Sequence, residues 1–168
     1  MKTKIQLDPG ATIPTRAHTT DVGYDVTSIS LSIVHNNGAI TNCATEEQIA
    51  EILHHYNPVP NYFIVDTGIH LTPPTGYYFE LVPNSRQAKT TAAWHNSIGI
   101  IDPSYTGSIK IIIKNATSKD LAKYLPGNVV GQLILRPHLS TIFEQVPALE
   151  QTDRGAGGFG STANKENA

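Results

Sequence analysis

With 168 residues the chain has the size of one ordinary domain, long enough to close a sizeable core. Only 15% of its residues are charged and the net charge is -2, which excludes a general electrostatic attraction to nucleic acid or to an anionic membrane surface. The single cysteine, Cys43, excludes an intrachain disulfide and a cysteine-rich metal site; it reads as an inert thiol in a reducing compartment. No apolar run reaches membrane-spanning length, and MKTKIQLD is too polar for a signal peptide, so a soluble, intracellular protein is expected.

Taken in chain order, most apolar stretches are short, β-branched and bounded by turn residues. YDVTSISLSIV (24–34) comes first. After it, ATEEQIAEILHHY (44–56) breaks the pattern: Thr45 is a candidate N-cap, acidic residues fill the first turn, and Ile49, Ile52 and Leu53 share one side. This predicts one short helix over 44–56 within a long connection. Its His54-His55 pair does not share a helix face and has no acidic or cysteine partner at ligand spacing, so it reads as a solvated helix end. YFIVDTGIHL (62–71), GYYFELV (76–82), SIKIIIKN (108–115) and NVVGQLIL (128–135) follow, several alternating with the period of a half-buried strand. NNG, TPPTG, DPSYTG and LPGN separate them as turns. The class expected is all-β: a jelly-roll-like sandwich or distorted barrel, with one short helix.

No GxxxxGK[ST], HExxH, GxSxG or CxxC template is present, so the chemistry must lie in other polar clusters. VPNSRQAK (82–89) offers loop N–H groups, a hydroxyl and a guanidinium, the tools of phosphate binding and also the makings of a plain turn. HNSIGIIDPSYTGSIKIIIKN (95–115) reads as a hairpin with Asp102 at the bend, where a carboxylate is available as a general base and Tyr105 as a stacking platform. Gln132 sits in an otherwise apolar strand and needs a partner for its amide. The tail RGAGGFGSTANKENA (154–168) sets Arg154, Ser161 and Thr162 around Phe159 among glycines, and is expected to stay mobile until a ligand orders it.

Singly these clusters are ambiguous. In order, they resemble the five motifs of the homotrimeric dUTPase family: TDVGYDV (20–26), PNSR (83–86), NSIGIIDPSYTG (96–107), PGNVVGQLI (126–134) and RGAGGFGST (154–162). The resemblance implies a jelly-roll-like β domain over 1–152, with 35–60 an inserted surface elaboration, and a flexible arm over 153–168. It implies hydrolysis of dUTP to dUMP and diphosphate, which keeps uracil out of DNA and supplies dUMP, at sites shared between three subunits. By that likeness Asp102 is the general base. Asn96, with the backbone of Gly99, Ile100, Ile101 and Lys110, reads uracil, and Tyr105 packs on the deoxyribose. Asn84, Ser85, Arg86 and Gln132 hold phosphate. Arg154, Gly160, Ser161 and Thr162 clamp the β and γ groups while Phe159 stacks over uracil, and Asp25 supports the site from behind. Mg²⁺ is implied as a cofactor held by the substrate phosphates and water, with no direct protein ligand. Partners other than substrate and sister subunits, such as nucleic acid or membrane, are not implied. The compartment implied is the cytoplasm, or a host cytoplasm or nucleus for a viral or phage protein.

The chain departs from the family pattern at Asn84 and Val129, where arginines are usual, and at Asp21-Val22. Two other readings share the scaffold. One is a regulatory protein with nucleotide-dependent partner contacts. The other is a dCTP deaminase-like enzyme, disfavoured because Ile112 stands where its catalytic Glu would be.

Overall fold

Alternation sets which way each strand faces. A computed structural model describes residues 1–55, 62–114 and 116–157. Eleven strands appear among them: β1 (Lys4–Leu7), β2 (Tyr24–Thr27), β3 (Ser30–Val34), β4 (Ile40–Cys43), β5 (Tyr62–Asp66), β6 (Ile69–Thr72), β7 (Tyr77–Val82), β8 (Ala93–Trp94), β9 (Gly99–Ile101), β10 (Lys110–Lys114) and β11 (Val129–Pro137). In β7, Phe79 and Leu81 point inward while Tyr78, Glu80 and Val82 point out; in β10, Ile111 and Ile113 are fully buried. Such burial stabilises by about 1.5–3 kcal/mol per large apolar side chain.

The strands form a five-stranded sheet in the order β4-β3-β5-β10-β8, a four-stranded sheet β2-β11-β7-β9, and the pair β1-β6. All ladders are antiparallel. Leu31, Phe63 and Ile111 from the first sheet join Val26, Leu81 and Leu133 from the second in one core, so the two sheets make a sandwich, as the alternation predicts.

The expected hairpin over 95–115 does not form. β9 pairs with β7, whereas β10 pairs with β5 on one side and β8 on the other, so NSIGIID and SIKIIIKN lie in different sheets. The reason is that both hydrogen-bonding edges of β10 are occupied, with Ile109, Ile111 and Ile113 fixed in the core. Residues 102–109 therefore cross from one sheet to the other.

The helix expected over 44–56 is α1 (Glu46–His55); Tyr56 lies outside the described residues. Thr45 Oγ1 accepts from Gln48 N–H at 3.2 Å, and Gln48 Oε1 accepts in return from the Ala44 and Thr45 N–H groups. Ile49 is fully buried, and Ile52 and Leu53 pack against the same core, so one face of α1 belongs to the core. Cys43, at the end of β4, is buried, and burial pushes its thiol pKa up, which suits an unreactive group.

A second helix, α2 (Ser118–Leu121), was not expected. Its signal is TSKD: Thr117 and Asp120 form a reciprocal capping box. Asp120 is desolvated, which by itself raises its pKa, but hydrogen bonds from Thr91 and Thr117 outweigh this and bring it to about 2. That carboxylate pins α2 to the turn that follows the 3-10 helix Ser85–Lys89.

At Gly131 the two sheets approach closely. A Cβ there would lie 2.6 Å from the Trp94 ring and 3.1 Å from the Val82 carbonyl oxygen. Gly131→Ala is expected to destabilise the fold by about 1–3 kcal/mol, read as a lower Tm in a Trp94 fluorescence melt. An unchanged Tm would mean that the sheets separate here without cost.

Candidate active site

Three of the five motifs meet at one end of the four-stranded sheet. In the β2 and β7 ladders, Gln132 of β11 is opposite Asp25 on one side and Val82 on the other. Its amide finds the partner it needs in the Asp25 carboxylate, with Nε2 donating to Oδ1 at 3.0 Å. Asp25 thus fixes the Gln132 side chain. Gly23 leaves room for it, since a Cβ at Gly23 would lie 2.7 Å from Gln132 Oε1.

Three residues beyond Val82 the chain enters the 3-10 helix Ser85–Lys89. Asn84 is its N-cap, accepting from Arg86 N–H at 3.1 Å. Where the motif resemblance leads one to expect an arginine, this chain has a capping side chain. Ser85 and Arg86 are exposed, and the Arg86 guanidinium has no ion-pair partner among the described residues. Asn84 and Arg86 line a cleft of about 110 Å³ with Lys123, Asn128 and Val129, so the second and fourth motifs share one wall there. The Arg86 guanidinium and Lys123 ammonium only donate, and a hydroxyl or amide N–H can add to them, so this wall suits an anion.

The third motif supplies a different surface. β9 is the last strand of its sheet and, among the described residues, pairs only with β7, leaving the backbone of Gly99, Ile100 and Ile101 on an outer edge. The turn before it holds Ser97 at φ 57, an unusual conformation for a non-glycine residue. The Asn96 amide lies over Gly99, 3.6 Å from where a Cβ would stand. Asp102 follows β9 and is exposed. Its carbonyl accepts from Tyr105 N–H at 3.0 Å, and the Tyr105 hydroxyl donates to the Ser108 carbonyl at 2.9 Å, fixing the ring while leaving it 45% exposed.

Lys110 belongs to the other sheet, and its ammonium pairs with Asp66 at 3.1 Å. Asp66 also accepts from Ser108 Oγ and from Gly68 N–H at 2.9 Å. Burial opposes ionisation of Asp66, but the Ser108, Gly68 and Lys110 contacts prevail and hold its pKa below the usual carboxylate range. Asp66, Ser108 and Gly23 escaped sequence reasoning. Nothing local marks a strand-end carboxylate as the anchor of a loop more than 40 residues away.

Within one chain the two groups stand apart. Ile101 is opposite Phe79, so Asp102 falls level with Tyr78, whereas Gln132 is opposite Val82. Those rows are four strand residues apart, about 13 Å. Arg154 lies beyond the sandwich, donating from Nε to the Gly157 carbonyl at 3.1 Å. Phe159, Gly160, Ser161 and Thr162 are outside the described residues. Between the sandwich and Arg154, residues 138–150 expose Leu139, Ile142, Phe143 and Leu149; Ile142 is 95% and Phe143 93% accessible.

These features define an antiparallel β sandwich with anion-ligand chemistry at one end of a sheet and an exposed aspartate loop at the other. The dUTPase family model matches residues 55–163. A Saccharomyces cerevisiae deoxyuridine 5'-triphosphate nucleotidohydrolase is 32% identical over 96% of this chain and 94% of its own length. The enzyme of that name from Escherichia phage T5 is 37% identical over 61% of this chain and 69% of its own. Among solved structures, a mutant dUTPase of Staphylococcus bacteriophage 80alpha with dUpNHpp superposes with TM-score 0.69 at 21% identity, covering 96% of this chain and 98% of that one. A phage phi11 dUTPase described with a structural Mg(II) ion superposes with TM-score 0.63 at 20% identity, over 90% of this chain and all of that one. The chain belongs to the dUTPase family.

Proposed function

We propose that the protein hydrolyses dUTP to dUMP and diphosphate, in sites each assembled from three copies of the chain. Family membership carries the reaction and favours it over the regulatory and deaminase-like alternatives. The 13 Å separation along β7 carries the sharing. A water activated by Asp102 and the ligands of the phosphate it attacks must lie within about 3 Å of the reacting groups. The separation of Asp102 from the Ser85–Gln132 end of the same chain favours a site that draws the two from different copies. The exposed apolar side chains of 138–150 support association of copies, since a stretch this apolar is rarely left in water. Closed threefold symmetry gives every site the same composition.

In this account Ser85, Arg86 and Gln132 bind phosphate, with Asn84 shaping the turn that presents them. Arg86 supplies the positive charge missing at Asn84 and Val129. The open edge of β9 with Asn96 reads the uracil edge, and fixed backbone polarity rejects cytosine because a mismatched partner leaves buried groups unpaired. Tyr105, its hydroxyl tied to the loop, packs its ring against deoxyribose and excludes a 2′-hydroxyl. Asp102 takes a proton from the water that attacks the α-phosphorus. The arm from Arg154 onward closes over the β and γ phosphates, Ser161 and Thr162 binding them and Phe159 covering the base. Mg²⁺ enters bound to the triphosphate and screens its charge, which suits a donor set built for anions. The compartment that suits this reaction is wherever deoxynucleotides are made, the cytoplasm or the corresponding space of a host.

Diphosphate release from dUTP, dCTP, dTTP and UTP with Mg²⁺ tests the substrate. Release from dUTP at least about a hundredfold faster than from the other three is expected. Equal rates with UTP would remove the role given to Tyr105.

A further inference from the structure

Beneath the Asp102 loop lies a titratable group with no part in the scheme above. His70 is on β6, opposite Gln6 of β1, and its ring stands between two segments that no ladder joins. Nδ1 is 2.8 Å from the Thr106 carbonyl oxygen, and Nε2 is 3.2 Å from Asp8 Oδ2. A carbonyl and a carboxylate can only accept. Both ring nitrogens must therefore donate, and only the imidazolium carries two N–H groups.

We propose that His70, as an imidazolium, is a positioning residue that clamps the 102–107 loop to the N-terminal segment and so sets the place of Asp102 and Tyr105 for the reaction. The proposal rests on the reading of Asp102 as general base. The loop's internal bonds, Tyr105 to Asp102 and to Ser108, fix its shape but not its attachment. Its attachments to the body include Ser108 to Asp66, Ile109 N–H to the Ile69 carbonyl, the Ile109 carbonyl to Thr67 N–H and Oγ1, and Thr106 to His70. Of these, the His70 contact lies closest to Asp102 in the chain, and it alone depends on a group that titrates near neutrality.

The charged groups around the ring favour its proton. From the segment after β1 comes the Asp8 carboxylate, and from the end of β5 comes Asp66. Of the nearby cations, Lys110 is tied to Asp66, while Lys4 lies further along β1, opposite Thr72. The Thr106 carbonyl first, and Asp8 next, raise the His70 pKa above its ordinary value of about 6.5. The clamp is therefore complete below that ordinary value and is lost as pH rises through the raised one.

The test is kcat on saturating Mg²⁺–dUTP from about pH 6 to about pH 9 for the wild type, His70→Gln and His70→Arg. Dividing one profile by another cancels the pH dependence that the variants share. At low pH the wild type is expected to exceed His70→Gln about tenfold, the ratio approaching one at high pH. His70→Arg, permanently charged, should lack the decline. A wild-type to His70→Gln ratio that does not change with pH overturns the proposal. Imidazole nitrogen NMR of the intact wild type gives a reading that does not depend on turnover: both His70 nitrogens are expected to carry protons near neutral pH, and a neutral ring overturns the clamp. If Asp102→Asn kept full activity, the base assignment would fail, while the nitrogen spectrum would still decide the state of His70.

Discussion

Asp102→Asn is expected to lower kcat on dUTP by about a thousandfold and to leave KM within a fewfold of wild type. The substitution keeps the size and the hydrogen-bonding capacity of the side chain and removes only its ability to take a proton. Asp102 is exposed, and it is the residue's main-chain carbonyl, not its side chain, that accepts from Tyr105, so the loop should hold its shape. A kcat effect without a KM effect marks an interaction made in the transition state rather than on binding. Diphosphate release supplies the kinetics, and an unchanged Tm shows that the variant is folded. A large rise in KM with kcat preserved would move Asp102 from base to binding group.

Removing the arm, by ending the chain before Arg154, should cost at least about a hundredfold in kcat/KM for dUTP. The arm sequence from Arg154 to Thr162 holds four glycines in nine residues, so fixing it on a substrate costs backbone entropy that contacts with that substrate must offset. At its start, Arg154 uses Nε in a turn closed on Gly157, which leaves the terminal guanidinium nitrogens for a polyphosphate. The sandwich itself should be untouched by the truncation, since its core ends with β11. The truncated chain should therefore keep its Tm and lose turnover. Undiminished kcat/KM would leave the glycine-rich segment without the task assigned to it.

Sequence reading went furthest where a local pattern carries the physics. The inward side chains of β7 and β10 follow from period-two alternation, and α1 follows from Thr45, its acidic first turn and the spacing of Ile49, Ile52 and Leu53. Pairing between strands is not local. NSIGIID and SIKIIIKN looked like the two arms of a hairpin because they are adjacent in sequence, yet the partner of β9 is β7 and those of β10 are β5 and β8. The same limit applies to the site. Gln132 declared its need for a partner by its apolar surroundings, but that its partner is Asp25, 107 residues away, only the register reveals. Asn84 looked like a lost arginine and proves to be a helix cap, while His70 and Asp66 gave no sign of the loop they hold.

The claim on which the rest depends is that Asp102 and the phosphate-binding turn serve the same site from different subunits. Co-expression of the Asp102→Asn chain with a Ser85→Ala/Arg86→Ala chain tests it directly. If the proposed trimer forms, each homotrimer lacks one half of every site. In a mixed trimer, one site of the three draws an intact turn from one chain and an intact Asp102 from the other. With random assembly, three quarters of trimers are mixed, so activity should return to about one quarter of wild type. If both groups came from the same chain, no mixture could contain a complete site. Co-expressed chains as inactive as either parent would contradict the account.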